Sequence, residues 1–215
     1  MLAIMAARVE RQLRDAMQAL RTGDPVLVAQ ILQHEREINR LERAIDEFGR
    51  RVIARRQPAA RDLRLLVALL AATTDFERMG DEAKKIALYV RGIFPAGRPV
   101  LARVTELGPM AELALDMLGQ ATRSLEALDP GAAAVLVQRD AEVNRMFRVV
   151  LARVAAMMVG DPRAISTGLD VLFVAKSLER IGDHAKNVGE HVVYAARGKD
   201  VRHASAQEID RALRE

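Results

Sequence analysis

A ten-residue stretch, Glu77-Arg78-Met79-Gly80-Asp81-Glu82-Ala83-Lys84-Lys85-Ile86, returns 102 residues later as Glu179-Arg180-Ile181-Gly182-Asp183-His184-Ala185-Lys186-Asn187-Val188. The likeness extends upstream. At an offset of 105 the chain also matches itself at Met5/Met110, Leu20/Leu125, Asp24/Asp129, Pro25/Pro130, Gln33/Gln138, Glu37/Glu142, Asn39/Asn144 and Arg40/Arg145. A sequence made of two copies of one unit must give both copies the same fold.

Periodicity makes that unit three helices. The first runs from near the N-terminus to about Arg21, with Val9, Leu13, Met17 and Leu20 on one stripe. Thr22-Gly23-Asp24-Pro25 stops it and starts the next: glycine after the last turn, aspartate as N-cap, proline in the first turn. The second helix spans Val26 to about Arg56, its stripe being Leu27, Ile31, Ile38, Leu41, Ile45, Phe48 and Val52. Gln57-Pro58 ends it. The third, about Ala59 to Arg91, is apolar on two sides and so is expected to have neighbours on both. Gly92 to Pro99 reads as a linker.

The second copy repeats this order. A fourth helix ends near Leu128, with a kink expected at Gly108-Pro109; a fifth ends near Val159. Gly160-Asp161-Pro162 then starts a sixth that fades at Arg197-Gly198. The expected fold is all-α, two tandem three-helix bundles related by internal duplication: residues 1–95, residues 96–198, and a C-terminal tail over 199–215.

Composition agrees and narrows function. Half the residues are hydrophobic but only 3% are aromatic, which suits helix packing. There is no cysteine, hence no disulfide frame or thiolate chemistry. The +4 net charge is interleaved along helices without a basic block, and so little aromatic surface argues against nucleic acid. The longest apolar run, Leu65–Ala72, falls far below the roughly 18 residues that span a bilayer. Met1–Met5 lacks a signal-peptide pattern, so the expected location is cytoplasmic.

The repeated motif carries the chemistry. Residues four apart share a helix face, so Glu77 and Asp81 point together, as do Glu179 and Asp183. At ~100° per residue, Leu63, Leu66, Val67, Leu70 and Leu88 lie near Asp81, while Arg64, Asp75, Arg78 and Glu82 form a polar wedge elsewhere. Ile165, Leu169 and Leu172 likewise lead into Lys176, Glu179 and Asp183. Carboxylates continuing an apolar stripe are expected to turn inward, and desolvation then demands a cationic partner, either Lys or Arg or a metal. Gly80 and Gly182 suggest close backbone approach beside each pair. On the second helix of each copy, Glu35 and Asn39 match Asp140 and Asn144 and can be brought alongside. Glu42 and Asp46 have no acidic counterpart; Phe147 and Leu151 stand there. The candidate metal ligands are therefore Glu77, Asp81, Glu179 and Asp183, then Glu35, Asn39, Asp140 and Asn144. Oxygen donors of this kind suit Mg, Ca, Mn or iron. His184 and His191 lie off this line and read as surface or interface residues.

The stretch Glu179-Arg180-Ile181-Gly182-Asp183-His184-Ala185-Lys186-Asn187-Val188-Gly189-Glu190 resembles the PhoU family of phosphate-signalling regulators. The copy at 77–86 and Gln57-Pro58 with Asp62-Leu63-Arg64 resemble that family's first repeat, so the likeness covers residues 1 to about 198. It implies two three-helix bundles, a homodimer, and metal bound at acidic-x-x-x-Asp motifs. It also implies a cytoplasmic negative regulator linking a phosphate ABC transporter to a sensor histidine kinase through peripheral contact with membrane complexes. Asn39 and Asn144 stand where Asp would be the stronger ligand. Two other readings remain open: a di-metal helical-bundle enzyme or metal-storage protein, and a structural bundle with salt-bridged carboxylates. The enzyme is disfavoured because no histidine follows a Glu by three residues and no phosphate loop or nucleophile arrangement is present, leaving no catalytic residue to name.

Overall fold

The structure is a computed structural model that describes residues 1–93 and 105–214. Its elements are α1 (Leu2–Thr22), α2 (Pro25–Arg56), α3 (Ala60–Ile93), α4 (Leu107–Ala127), α5 (Ala132–Gly160), α6 (Ile165–Arg197) and α7 (Ala206–Arg214). The described residues contain no strand. α1, α2 and α3 pack together, as do α4, α5 and α6, giving the two duplicated bundles. The division at 95/96 and most of the expected linker lie outside the described residues.

Local chemistry sets the helix ends. Gly23 takes φ 71° and its N–H returns to the Ala19 carbonyl, closing α1. The Asp24 carboxylate then accepts from the Val26 N–H at 2.8 Å and caps α2. Asp161 does the same toward Arg163 at 3.1 Å, opening a 3-10 turn over Pro162–Ala164 that feeds α6. Gly198, at φ 73°, ends α6. Two boundaries differ from expectation. Gly92 is still helical, and Gly108-Pro109 lies in the first turn of α4, where a proline's missing N–H costs nothing, so it begins the helix instead of kinking it. The tail holds α7, whose Ile209 is fully buried in a small separate cluster with Ala133, Ala134, Val193 and Val201.

One continuous core runs through both bundles, from Met5, Val9 and Leu13 on α1 through Phe76 and Met79 on α3 to Val174 and Leu178 on α6. Each fully buried large side chain of this kind contributes about 1.5–3 kcal/mol. The bundles join along α3 and α6, which run antiparallel in strict register. Tyr89 stacks on Phe173 with ring centroids 5.2 Å apart, Glu82 meets Arg180 at 3.0 Å, Asp75 meets Asn187 at 3.2 Å, and Arg64 packs on Gly198.

This seam corrects the reading of α3. The polar wedge is where α6 docks, so Asp75 and Glu82 are buried. The stripe of Leu63, Val67 and Leu88 is instead about 40% exposed. α3 has α1, α2 and α6 around it, and the charged wedge can be covered because α6 brings opposite charges and donors to meet it.

Candidate metal centre

In the first copy α2 and α3 lie side by side, and Glu35, Glu77 and Asp81 each bring a carboxylate oxygen within 4.8 Å of the others. Glu35 is 96% buried, being only 4% exposed. One of its oxygens accepts from the Gln12 side chain at 2.8 Å, and the same amide donates to the Gly80 carbonyl at 2.9 Å. The other oxygen, Oε1, has no hydrogen-bond partner; Lys84 Nζ stands 3.8 Å off, held by Asp81 at 2.5 Å. The buried amide oxygen of Asn39, one turn along α2, is also without a partner. Gly80 makes this approach possible, since a Cβ there would lie 3.3 Å from Ile38 and 3.6 Å from Glu35 Oε2.

Crowded like charges show in the proton affinities. Burial, then the Asp81, Glu42 and Glu35 carboxylates, push Glu77 up to about 7. Burial raises Glu35 despite Gln12 and Lys84. It raises Glu42 too, with Asp46 adding to it. Burial works upward on Asp81 as well, but Lys84 outweighs it and holds that carboxyl low. Three converging carboxylate oxygens, one of them buried without a hydrogen-bond partner, with Lys84 the lysine in contact, fit a hard cation such as Mg, Ca or Mn.

The second copy is arranged differently. Lys186 Nζ lies 3.2 Å from Asp140 and 3.3 Å from Asp183, taking the space between them. Asn144 donates to Asp140 at 3.3 Å, and Lys176 pairs with Glu179 at 2.6 Å. Among the described residues, three acidic or histidine side chains converge on ligand distances only at Glu35, Glu77 and Asp81. The copies differ at the residues that matter: Asp140 is a methylene shorter than Glu35, Met117 replaces Gln12, and Lys176 replaces Thr74. Phe147 and Leu151 replace Glu42 and Asp46. Glu179 is buried, whereas the Asp183 side chain is 41% exposed.

A second polar constellation sits in the seam, and sequence periodicity did not find it. The buried Asp75 carboxylate accepts from His184 Nδ1 at 2.8 Å, His191 Nε2 at 2.9 Å and Asn187 Nδ2 at 3.2 Å. Burial alone would raise Asp75, but these three donors hold it down at about 2. His184 is therefore buried at the α3–α6 interface, the second of the two settings expected for it. The available signal was that Asp75, His184, Asn187 and His191 differ from their repeat counterparts Ser177, Glu82, Lys85 and Tyr89. Gln12 had a clearer signal, a lone amide inside the α1 apolar stripe.

The PhoU domain model matches residues 2–90 and 107–192, one match in each copy. The chain belongs to the PhoU family. It is 42% identical over 206 residues to a phosphate-specific transport system accessory protein PhoU homolog from Burkholderia sp, covering 95% of this chain and 88% of that one. The Escherichia coli accessory protein PhoU is 33% identical over 210 residues, with 97% and 86% covered. The crystal structure of PhoU from Pseudomonas aeruginosa superimposes with a TM-score of 0.87 at 37% identity, covering 91% of this chain and 93% of that chain. PhoU from Streptococcus pneumoniae, at 24% identity and a TM-score of 0.85, covers 93% of each chain and shares the fold. These PhoU relatives are named as accessory and regulatory proteins, not as enzymes. Among the described residues no helix is long and apolar enough to cross a membrane.

Proposed function

We propose that this chain is a cytoplasmic accessory protein of a phosphate-specific transport system. In this reading it is a helical adaptor without a reaction of its own. It contacts the transporter and a sensor histidine kinase at the inner face of the membrane, as a homodimer, and restrains the phosphate-starvation response. The observation that carries this is the family match in both copies, together with relatives named as accessory proteins of that transport system. A divalent cation at Glu35, Glu77 and Asp81 is part of the same reading, supported by the partnerless Glu35 oxygen among converging carboxylates. In the second copy Lys186 lies between Asp140 and Asp183, and we read Asp140, Asn144, Glu179 and Asp183 there as a salt-bridged brace.

The deciding experiment is a deletion strain carrying a phosphate-starvation reporter, complemented by this chain, with affinity capture at high and low phosphate. Restored repression together with recovery of transporter subunits or the kinase is expected. A deletion that leaves the reporter unchanged, with neither partner recovered in either condition, ends the adaptor reading.

A further inference from the structure

Besides the seam, the two copies have diverged in the groove between the second and third helix of each. In the first copy that groove carries Glu42, Asp46 and Thr74 beside the carboxylate cluster. At the same places the second copy carries Phe147, Leu151 and Lys176. Two acids have become apolar and a neutral residue has become a cation, a change of three charges in one direction. The groove between α5 and α6 continues as an apolar stripe in solvent: Leu151 is 42% exposed, Leu169 44% and Ile165 46%. Its floor is closed, for at Gly168 a Cβ would sit 2.9 Å from Met158. Lys176 Nζ stands 5.6 Å from the Phe147 ring centroid, its side chain half exposed, and exposed Arg148 rims the α5 side.

We propose that the α5–α6 groove docks an amphipathic helix of a partner protein, apolar toward Phe147, Leu151 and Leu169 and acidic on its flanks. From Ile165 to Lys176 the stripe extends roughly 16 Å at 1.5 Å per residue, which accommodates about three turns of a partner helix with apolar residues at i, i+3/i+4 and i+7. Exposed Arg148 on the α5 edge, with the half-exposed Lys176 beside its partner Glu179, favours acidic flanks over basic ones. The first groove, with its acids, is unsuited to the same helix. This inference concerns a surface separate from the cation cluster and stands whichever protein supplies the helix.

The test uses the full-length protein and two dye-labelled 18-residue amphipathic peptides, leucine-faced, one with glutamate flanks and one with lysine flanks. Fluorescence anisotropy is expected to show the glutamate peptide binding at least tenfold more tightly. The double variant Phe147→Glu, Leu151→Asp installs the residues that the first copy carries at these positions. It should lose that binding tenfold or more while melting cooperatively and leaving Mn affinity at the first groove unchanged. Arg148→Glu should shift the preference toward the lysine peptide. Equal binding of the two peptides, or binding indifferent to both variants, overturns the proposal. So does sedimentation showing a dimer that the double variant dissociates, because the groove would then be an interface between copies of this chain. Failure here leaves reporter complementation untouched, so the two readings fall separately.

Discussion

Glu77 offers the sharpest test of the crowded carboxylates. Its acid form persists to about pH 7 in the folded chain because burial and three neighbouring carboxylates oppose its charge. In the unfolded chain it ionises near the ordinary value of 4.5. Between those pH values the folded state binds the extra proton, so stability falls as pH rises from 4.5 to 7 and the penalty is constant above that. The displacement corresponds to about 3 kcal/mol at 1.36 kcal/mol per unit, and solvent screening at this half-buried site reduces it to about 1–2 kcal/mol. Glu77→Gln removes the charge and keeps the shape. In chelator at pH 8 the variant is therefore expected to melt about 2–8 °C above wild type for a chain of this size, with the difference vanishing near pH 4.5. Added Mn or Mg should raise the wild-type melting temperature at pH 8 and do little for the variant, which lacks one ligand oxygen charge. Cation affinity should weaken as pH falls below 7, since proton and metal compete for Glu77. Differential scanning calorimetry across pH, with and without metal, measures all of this. A variant that melts at or below wild type in chelator at pH 8 refutes the account of repulsion. A wild-type melting temperature indifferent to divalent ions refutes the cation site.

Other substitutions probe the rest of the molecule. Asp75→Ala removes the acceptor of three seam donors and should cost about 1–3 kcal/mol in urea denaturation at pH 7; because Asp75 is held down at about 2 against an ordinary 3.8, the wild-type advantage should fade as pH drops through that interval. Lys186→Met strips Asp140 and Asp183 of their shared cation, so the protein should lose stability in chelator and bind a second equivalent of Mn by isothermal titration calorimetry. Gly189→Ala places a Cβ 2.8 Å from Leu136 and 3.3 Å from the Ala133 Cα, and should destabilise by about 1–3 kcal/mol in the same assay.

The helices were legible because their ends are written in local chemistry: Gly23 and Asp24, and again Asp161 and Pro162, fix a stop and a start without help from tertiary contacts. Glu35, Glu77 and Asp81 were legible as a group because helix spacing and duplication pointed to the same residues. Periodicity failed on α3, where it marks which residues share a face but not which neighbour covers that face. A charged wedge reads as solvent-facing unless the partner's charges are known, and those of α6 lie a hundred residues away. The same gap hid Lys186. Its distance to Asp140 depends on how α5 and α6 pack, and the first copy's Lys84 sits 3.8 Å from Glu35 where Lys186 reaches Asp140 at 3.2 Å.

The antiparallel seam has a consequence for how the two copies recognise each other. Were two first copies laid together in that geometry, Asp75 would exchange its two histidines and asparagine for Glu82, Lys85 and Tyr89, while Glu82 would still face an arginine, Arg78. Two second copies would oppose His184 with Arg180 and leave His191 and Asn187 without an acidic acceptor. Divergence after duplication has thus left the second copy with a face whose histidines and asparagine need an acid that another second copy lacks, and the mate that supplies it is tethered in the same chain.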